Sequence, residues 1–240
     1  MSRPFLAVPI VLLSALTACS QVRDVAADAG LPVARDTSAQ AAAGSNGDWG
    51  CVQPEPGHPT SAEERAFVDE VGRLAVQAER THGVPAAAIT AMAIQESGYG
   101  WTKLAQETNN LLAWKYVPGP AVGDRQSWEI DCPNAGPRDK FVVFADRAEA
   151  VEFVAEQLAS SPNYEADTAR YRQDRANRVD VREAVDRWVD GIADPYSTNP
   201  EGYRNTIRRL MNNPYSPSDQ LSAENNLYRL SEGVTQAASQ

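Results

Sequence analysis

Once the chain passes residue 60, apolar residues recur at three- and four-residue spacing in one stretch after another. Each stretch is bracketed by residues that start or stop helices. Ser61 with Glu64 three residues on is the pattern of a capping box, and it opens a stripe of Phe67, Val68, Val71, Leu74, Ala75 and Ala78 that Gly83 closes. Pro85 starts a second helix that runs through an alanine-rich run to Gly98, and a short third helix is expected around 103–108. Helical spacing returns after Asp146, a candidate cap, with Ala150, Val151, Val154, Ala155 and Leu158. Two more helices follow. One spans 181–192 with Trp188 on its apolar face, and one spans 199–211 with Pro200 in its first turn and Tyr203, Ile207, Leu210 and Met211 inward. Between them and the first three helices the pattern changes: 112–117, 125–130 and 140–144 read as short strands separated by Pro/Gly turns. The expected fold class is therefore mainly α (α+β), a helical body with one small antiparallel β insertion and no internal repeat.

The composition narrows the chemistry. Among 240 residues, Lys and Arg number 22 against 32 for Asp and Glu, a net charge of −10, so no nucleic-acid partner is expected. Two histidines, His58 and His82, and three cysteines do not supply a His-rich zinc site, and HExxH and paired CxxC motifs are absent from the sequence. Catalysis, if there is any, falls to carboxylates, with no metal and no organic cofactor expected.

Ahead of the helices the chain reads as an address and a tether. Arg3, the apolar run 5–16 and the small residues Thr17 and Ala18 form a secretory signal, too short for a spanning helix of ~20 apolar residues. Leu16-Thr17-Ala18-Cys19 resembles the lipobox of bacterial lipoproteins. That resemblance implies lipid on Cys19 after removal of 1–18, and Ser20, not being Asp, implies sorting to the outer membrane. Two acyl signals anchor stably where one does not, since each buried methylene adds ~0.8 kcal/mol. Residues 19–59 are rich in Ala, Asp, Gly, Ser and Pro and read as a flexible tether. If Cys19 is lipidated, Cys51 and Cys132 remain, and in an oxidising compartment they are expected to pair rather than stay free. The folded domain is set at 60–214, with 215–240 as a tail from which Leu221, Leu227, Tyr228 and Leu230 add a peripheral turn.

One carboxyl stands out. Glu96 lies seven residues after Ile89, four after Met92 and three after Ala93, on the apolar stripe of the second helix. A carboxyl among alkyl groups stays neutral nearer pH 7, as a proton donor to a glycosidic oxygen must. The helix stops at once in Gly98-Tyr99-Gly100-Trp101, where aromatic rings suit sugar faces. The other reading is a helix-end glutamate turned to water.

The surrounding strings decide between them. Gln95-Glu96-Ser97-Gly98-Tyr99-Gly100, Lys103-Leu104-Ala105 and Asn109-Asn110-Leu111-Leu112-Ala113-Trp114-Lys115 follow in order. Then come Lys140-Phe141-Val142-Val143-Phe144 and Ala193-Asp194-Pro195-Tyr196-Ser197-Thr198-Asn199-Pro200. Together, from 66 to 211, they resemble the motifs of glucosaminidases of the flagellar-muramidase and Bax-like type, glycoside hydrolase family 73. The resemblance implies a lysozyme-like fold, with a helical lobe and a small β lobe flanking a glycan groove. It implies Glu96 as catalytic acid, Tyr196 near it in the cleft, and Asn109 and Asn110 shaping the groove floor. For the asparagines a helix C-cap and turn is the alternative or concurrent role; for Tyr196 it is a core ring. Glu129 is aligned with a second glutamate proposed on the β lobe, with Asp131 and Glu107 as rivals and a solvent-facing strand residue as the alternative. An inverting base stands ~6.5–9.5 Å from the acid and a retaining nucleophile ~5–5.5 Å, or the substrate's acetamido oxygen serves instead. Tyr99, Trp101, Trp114, Tyr116 and Trp128 are candidate sugar platforms. The sequence departs from the family pattern at Tyr99, where Trp is usual, at Leu112-Ala113, where Phe-Gly is usual, at Asn199, which replaces Asp, and at Glu201-Gly202, which lengthens the approach to Tyr203.

The expected function is hydrolysis of β-1,4 bonds in peptidoglycan at N-acetylglucosamine by an envelope protein facing the periplasm, partnered by glycan strands and by the membrane through Cys19. A lytic transglycosylase or muramidase on the same fold is the rival enzyme, and a non-catalytic glycan-binding factor the rival from another class.

Overall fold

The computed structural model describes residues 53–129 and 139–234. Helices α1 (Ser61–His82), α2 (Ala86–Ser97) and α3 (Lys103–Thr108) come first. Strands β1 (Ser127–Glu129) and β2 (Lys140–Val142) follow, then α4 (Arg147–Ser160), α5 (Glu165–Ala176), α6 (Val181–Tyr196), α7 (Pro200–Asn212) and α8 (Tyr228–Glu232). The fold is mainly helical with a two-stranded antiparallel sheet, as the periodicity predicts. Among the described residues no helix is long and apolar enough to cross a membrane. Cys19, Cys51, Cys132, Ile130 and Asp131, and with them the lipid and disulfide expectations, lie outside the described residues.

The core forms around α2. Of its twelve residues, Ala86 to Ile94 and Ser97 are buried, because α1, α7, α8 and α6 pack around it. Small alanines let those neighbours approach closely, and Ile89 and Met92 fill the remaining space with no exposure at all. Pro85 stands at the N-cap of α2 and makes no side-chain cap bond. The free amides are met from elsewhere: Ala86 N–H donates to Glu79 Oε2 (2.8 Å) and Ala87 N–H to Ser231 Oγ (3.2 Å). Thus α1 and α8 together cap the central helix. Segment 215–234 belongs to this same core, with Leu227, Tyr228 and Val234 buried.

Several boundaries differ from the sequence reading, each for a local reason. The capping box is one residue earlier, on Thr60 and Glu63 rather than Ser61 and Glu64, since both of its reciprocal bonds are made there. The expected strand at 112–117 shrinks to an isolated bridge between Lys115 and Phe141. Ala113 has φ +49° and breaks the extended run, while Tyr116 N–H still donates to Lys140 O (2.8 Å) and Val142 N–H to Trp114 O (3.1 Å). The sheet pairs Ser127 with Val142, Trp128 with Phe141 and Glu129 with Lys140. Helix α5 has no counterpart in the sequence reading. It is largely polar and buries only Thr168 and Tyr171, too few apolar residues to make a periodic stripe. Asp146, by contrast, caps α4 as expected by accepting from Glu149 N–H (2.8 Å).

Candidate active site

Glu96 stands in the last turn of α2, half-buried, where the chain is held tightly on both sides. Gly98 takes a left-handed conformation (φ +55°) and its N–H donates to Ile94 O. Ser97 Oγ donates to Ala93 O (2.5 Å) and accepts from Gly100 N–H (2.9 Å), and Thr102 N–H donates to Ser97 O (3.0 Å). A β-carbon at Gly98 would meet Pro54 Cγ at 2.6 Å, so the glycine also admits the strap 53–59 against this turn. Fixed in this way, the carboxyl sits in apolar surroundings. Desolvation alone pushes its pKa from 4.5 up to about 8, which keeps the neutral acid present at neutral pH.

Two rings from the other end of the sequence face this carboxyl. Tyr196 closes α6 and Tyr203 lies in the first turn of α7, their ring centroids 5.3 Å apart. Tyr164, just before α5, lies 6.4 Å from Tyr196. The charge of Glu96 reaches both Tyr196 and Tyr203. After burial, the larger cause, it helps hold both phenols well above their ordinary value. Tyr196 has no exposure, and its hydroxyl donates to Leu112 O (2.9 Å). That bond ties the closing motif to the segment that follows Asn109 and Asn110.

The two asparagines act as latches. Asn109 is the left-handed C-cap of α3 (φ +55°), and its Nδ2 donates to Phe144 O (3.1 Å) and Ala145 O (3.2 Å). Asn110 is buried. Its Nδ2 donates to Trp114 O (2.9 Å) and Val142 O (3.0 Å), while Oδ1 accepts from Trp114 N–H (2.9 Å). Every donor of the Asn110 amide is engaged, so it holds β2 to the loop after α3.

A match to a family now bears on this geometry. Residues 72–216, more than half of the chain, match the glucosaminidase family, described as mannosyl-glycoprotein endo-beta-N-acetylglucosaminidase. The chain belongs to the glucosaminidase family. It is an enzyme of the glycoside hydrolase type. No curated protein matches the chain. Among solved structures, the catalytic domain of the autolysin Auto from Listeria monocytogenes is 18% identical over 81% of this chain and 95% of that one, with a TM-score of 0.44. The glycoside hydrolase domain of FlgJ from Salmonella typhimurium is 21% identical over 61% of this chain and 87% of that one, with a TM-score of 0.44. A peptidoglycan hydrolase mutant from Sphingomonas sp. A1 is 20% identical over 60% and 92%, with a TM-score of 0.39.

The remaining candidates of this glucosaminidase are dispersed. Tyr99 turns toward α1: its ring meets Phe67 edge-on at 5.9 Å and its hydroxyl donates to Pro214 O. Trp101 is stacked by His58 at 3.8 Å, so one face is already covered. Trp114 is 5% exposed and packs edge-on to Phe153 in the core. Tyr116 is half-buried against the core, and Trp128 is half-buried on β1 opposite Phe141. Glu129 is exposed at the end of β1, bordering the residues that are not described, and Glu107 is exposed on α3. Among the described residues no group of His, Cys, Asp and Glu comes together to hold a metal. Helical spacing turns Tyr203 inward, and Tyr164 falls outside every element expected from the sequence. Neither position carries a sign in the sequence that the two rings gather against Tyr196.

Proposed function

We propose that this glucosaminidase cleaves β-1,4 bonds of peptidoglycan at N-acetylglucosamine, with Glu96 as the general acid. The observation that carries the reading is the half-buried Glu96 at the end of α2, its carboxyl held neutral by desolvation and its charge felt by Tyr196 and Tyr203. A neutral carboxylic acid transfers its proton to the glycosidic oxygen as the bond to the anomeric carbon breaks, and the positive charge that develops on the sugar is met by the carboxylate left behind. The peptidoglycan substrate is supported by the family and by the order of the motifs. The second group is either a carboxylate on the β lobe, for which Glu129 is the candidate, or the acetamido oxygen of the substrate. The lipobox-like Cys19 supports an envelope location, tethered to a membrane and facing the periplasm, with Ser20 favouring the outer one.

Digestion of purified sacculi tests this. Products with reducing-end N-acetylglucosamine are expected, and Glu96→Gln is expected to lower their release by about 10²- to 10⁴-fold, the range for loss of a general acid. Products ending in 1,6-anhydro-muramic acid would move the assignment to a lytic transglycosylase. Sacculus binding without any release by the wild-type chain would make it a glycan-binding factor.

A further inference from the structure

A hollow of about 400 Å³ lies between α1, the end of α3 and the start of α4, a size that suits a small ligand. Glu70, Arg73 and Leu74 of α1 line it, with Asn109 after α3 and Asp146 and Arg147 at the start of α4. Glu96 and the residues of α6 and α7 are not among its lining, so it is distinct from the corner where Tyr196 and Tyr203 meet. Its side chains are held from behind. The Arg147 guanidinium lies over the Phe67 ring at 5.5 Å and donates to Glu70 Oε2 (2.7 Å). Gly100 makes room for it: its φ is +82°, and a β-carbon there would come within 2.8 Å of Arg147 Nη2 and 3.2 Å of the Phe67 ring. Asn109 is fixed by the two carbonyls that its Nδ2 reaches.

Two charges in the hollow have no opposite partner. Arg73 Nε donates to Asp69 O (3.1 Å), and among the described residues no carboxylate stands within ion-pair distance of its guanidinium. Asp146 Oδ1 accepts from Glu149 N–H (2.8 Å), and among the described residues no cation pairs with it. An unmatched cation and an unmatched anion thus share one hollow with the Glu70–Arg147 pair.

We propose that this hollow holds the peptide stem of the peptidoglycan substrate, a short peptide that carries both carboxylate and ammonium groups. The proposal rests on peptidoglycan being the substrate and adds where its peptide part is held. A ligand of one sign meets like charge here: an anion faces Glu70 and Asp146, a cation Arg73 and Arg147. An uncharged sugar leaves Arg73 and Asp146 unmatched. A ligand with both charges meets Arg73 through the fork by which a guanidinium takes a carboxylate, and meets Asp146 through an ammonium. Leu74 supplies the apolar contact for a small side chain beside them. The peptide is not where the bond breaks, so holding it stabilises bound substrate and transition state alike and shows in KM rather than kcat.

Calorimetric titration of the full chain with the free tetrapeptide stem, beside chitotetraose as a peptide-free glycan, tests this. The wild type should bind the tetrapeptide, and more weakly as salt is raised. Arg73→Gln and Asp146→Asn should each weaken that binding by about 2- to 5-fold, the range for an exposed ion pair, and the double variant by about 10-fold. Chitotetraose affinity should stay at the wild-type value. Asparagine still caps α4, so Asp146→Asn removes the charge and keeps the cap. Wild-type tetrapeptide affinity in the double variant, or no tetrapeptide binding by the wild type, overturns the proposal. An equal loss of chitotetraose binding would make the hollow a glycan subsite and overturn it as well. Sacculi left uncut by the wild type would instead remove the hydrolase reading, and the tetrapeptide titration is read independently of that result.

Discussion

Ala113 carries a backbone angle that alanine adopts reluctantly. Its φ of +49° lies in the left-handed region, where a β-carbon crowds the carbonyl at a cost of about 1–2 kcal/mol. The conformation is imposed from outside: Asn110 grips both the N–H and the carbonyl of Trp114, and Tyr196 takes the carbonyl of Leu112. The glycine usual at this place in the resembling motif is thus explained by geometry. Ala113→Gly is expected to stabilise the protein by about 1 kcal/mol in urea denaturation, and a loss of similar size would show that the strain is absent. This is the scale at which the sequence was most legible for Glu96 and least for its surroundings. Spacing from Ile89, Met92 and Ala93 placed the acid on an apolar stripe, since a helix repeats regularly. The gathering of Tyr164 and Tyr203 against Tyr196 depends on how α6, α7 and the turn before α5 meet, which no spacing within one helix encodes.

Helices hold one another through a buried carboxylate away from the site. Glu79 of α1 is 1% exposed and accepts from Ala86 N–H of α2, from the Tyr171 hydroxyl of α5 (2.6 Å) and from Ser231 Oγ of α8 (2.8 Å). Its place at the start of α2 also sets its charge against the positive end of that helix. Burial nevertheless wins and raises its pKa. Its folded pKa lies above the unfolded 4.5, so the stability it supplies is greatest below 4.5 and declines as pH rises toward the folded value. Glu79→Ala leaves three donors facing an apolar hole and is expected to cost about 3 kcal/mol or more, read from the denaturation midpoint at constant slope. A change below about 0.5 kcal/mol would mean the latch carries nothing. Periodicity located α1, α2, α4, α6 and α7 because each buries a broad stripe. It passed over α5, whose hold on the molecule rests on Thr168, Tyr171 and this one carboxylate rather than on a stripe.

Over the whole molecule, the central helix is buried from Ala86 to Ile94 among α1, α6, α7 and α8, and only Gln95 and Glu96 in its last turn are half-buried. The motifs of the middle and last thirds of the chain meet there: the Tyr196 bond to Leu112 O joins them, and the charge of Glu96 reaches Tyr196. Such an acid works while it is protonated, so activity should be present below its pKa and lost above it. The most direct measurement is kcat/KM for glycan release from sacculi across the neutral and alkaline range. The account predicts a limb that falls through about pH 8, set by the desolvated Glu96 carboxyl. A limb near 4.5, the value of an ordinary glutamate in water, would contradict it.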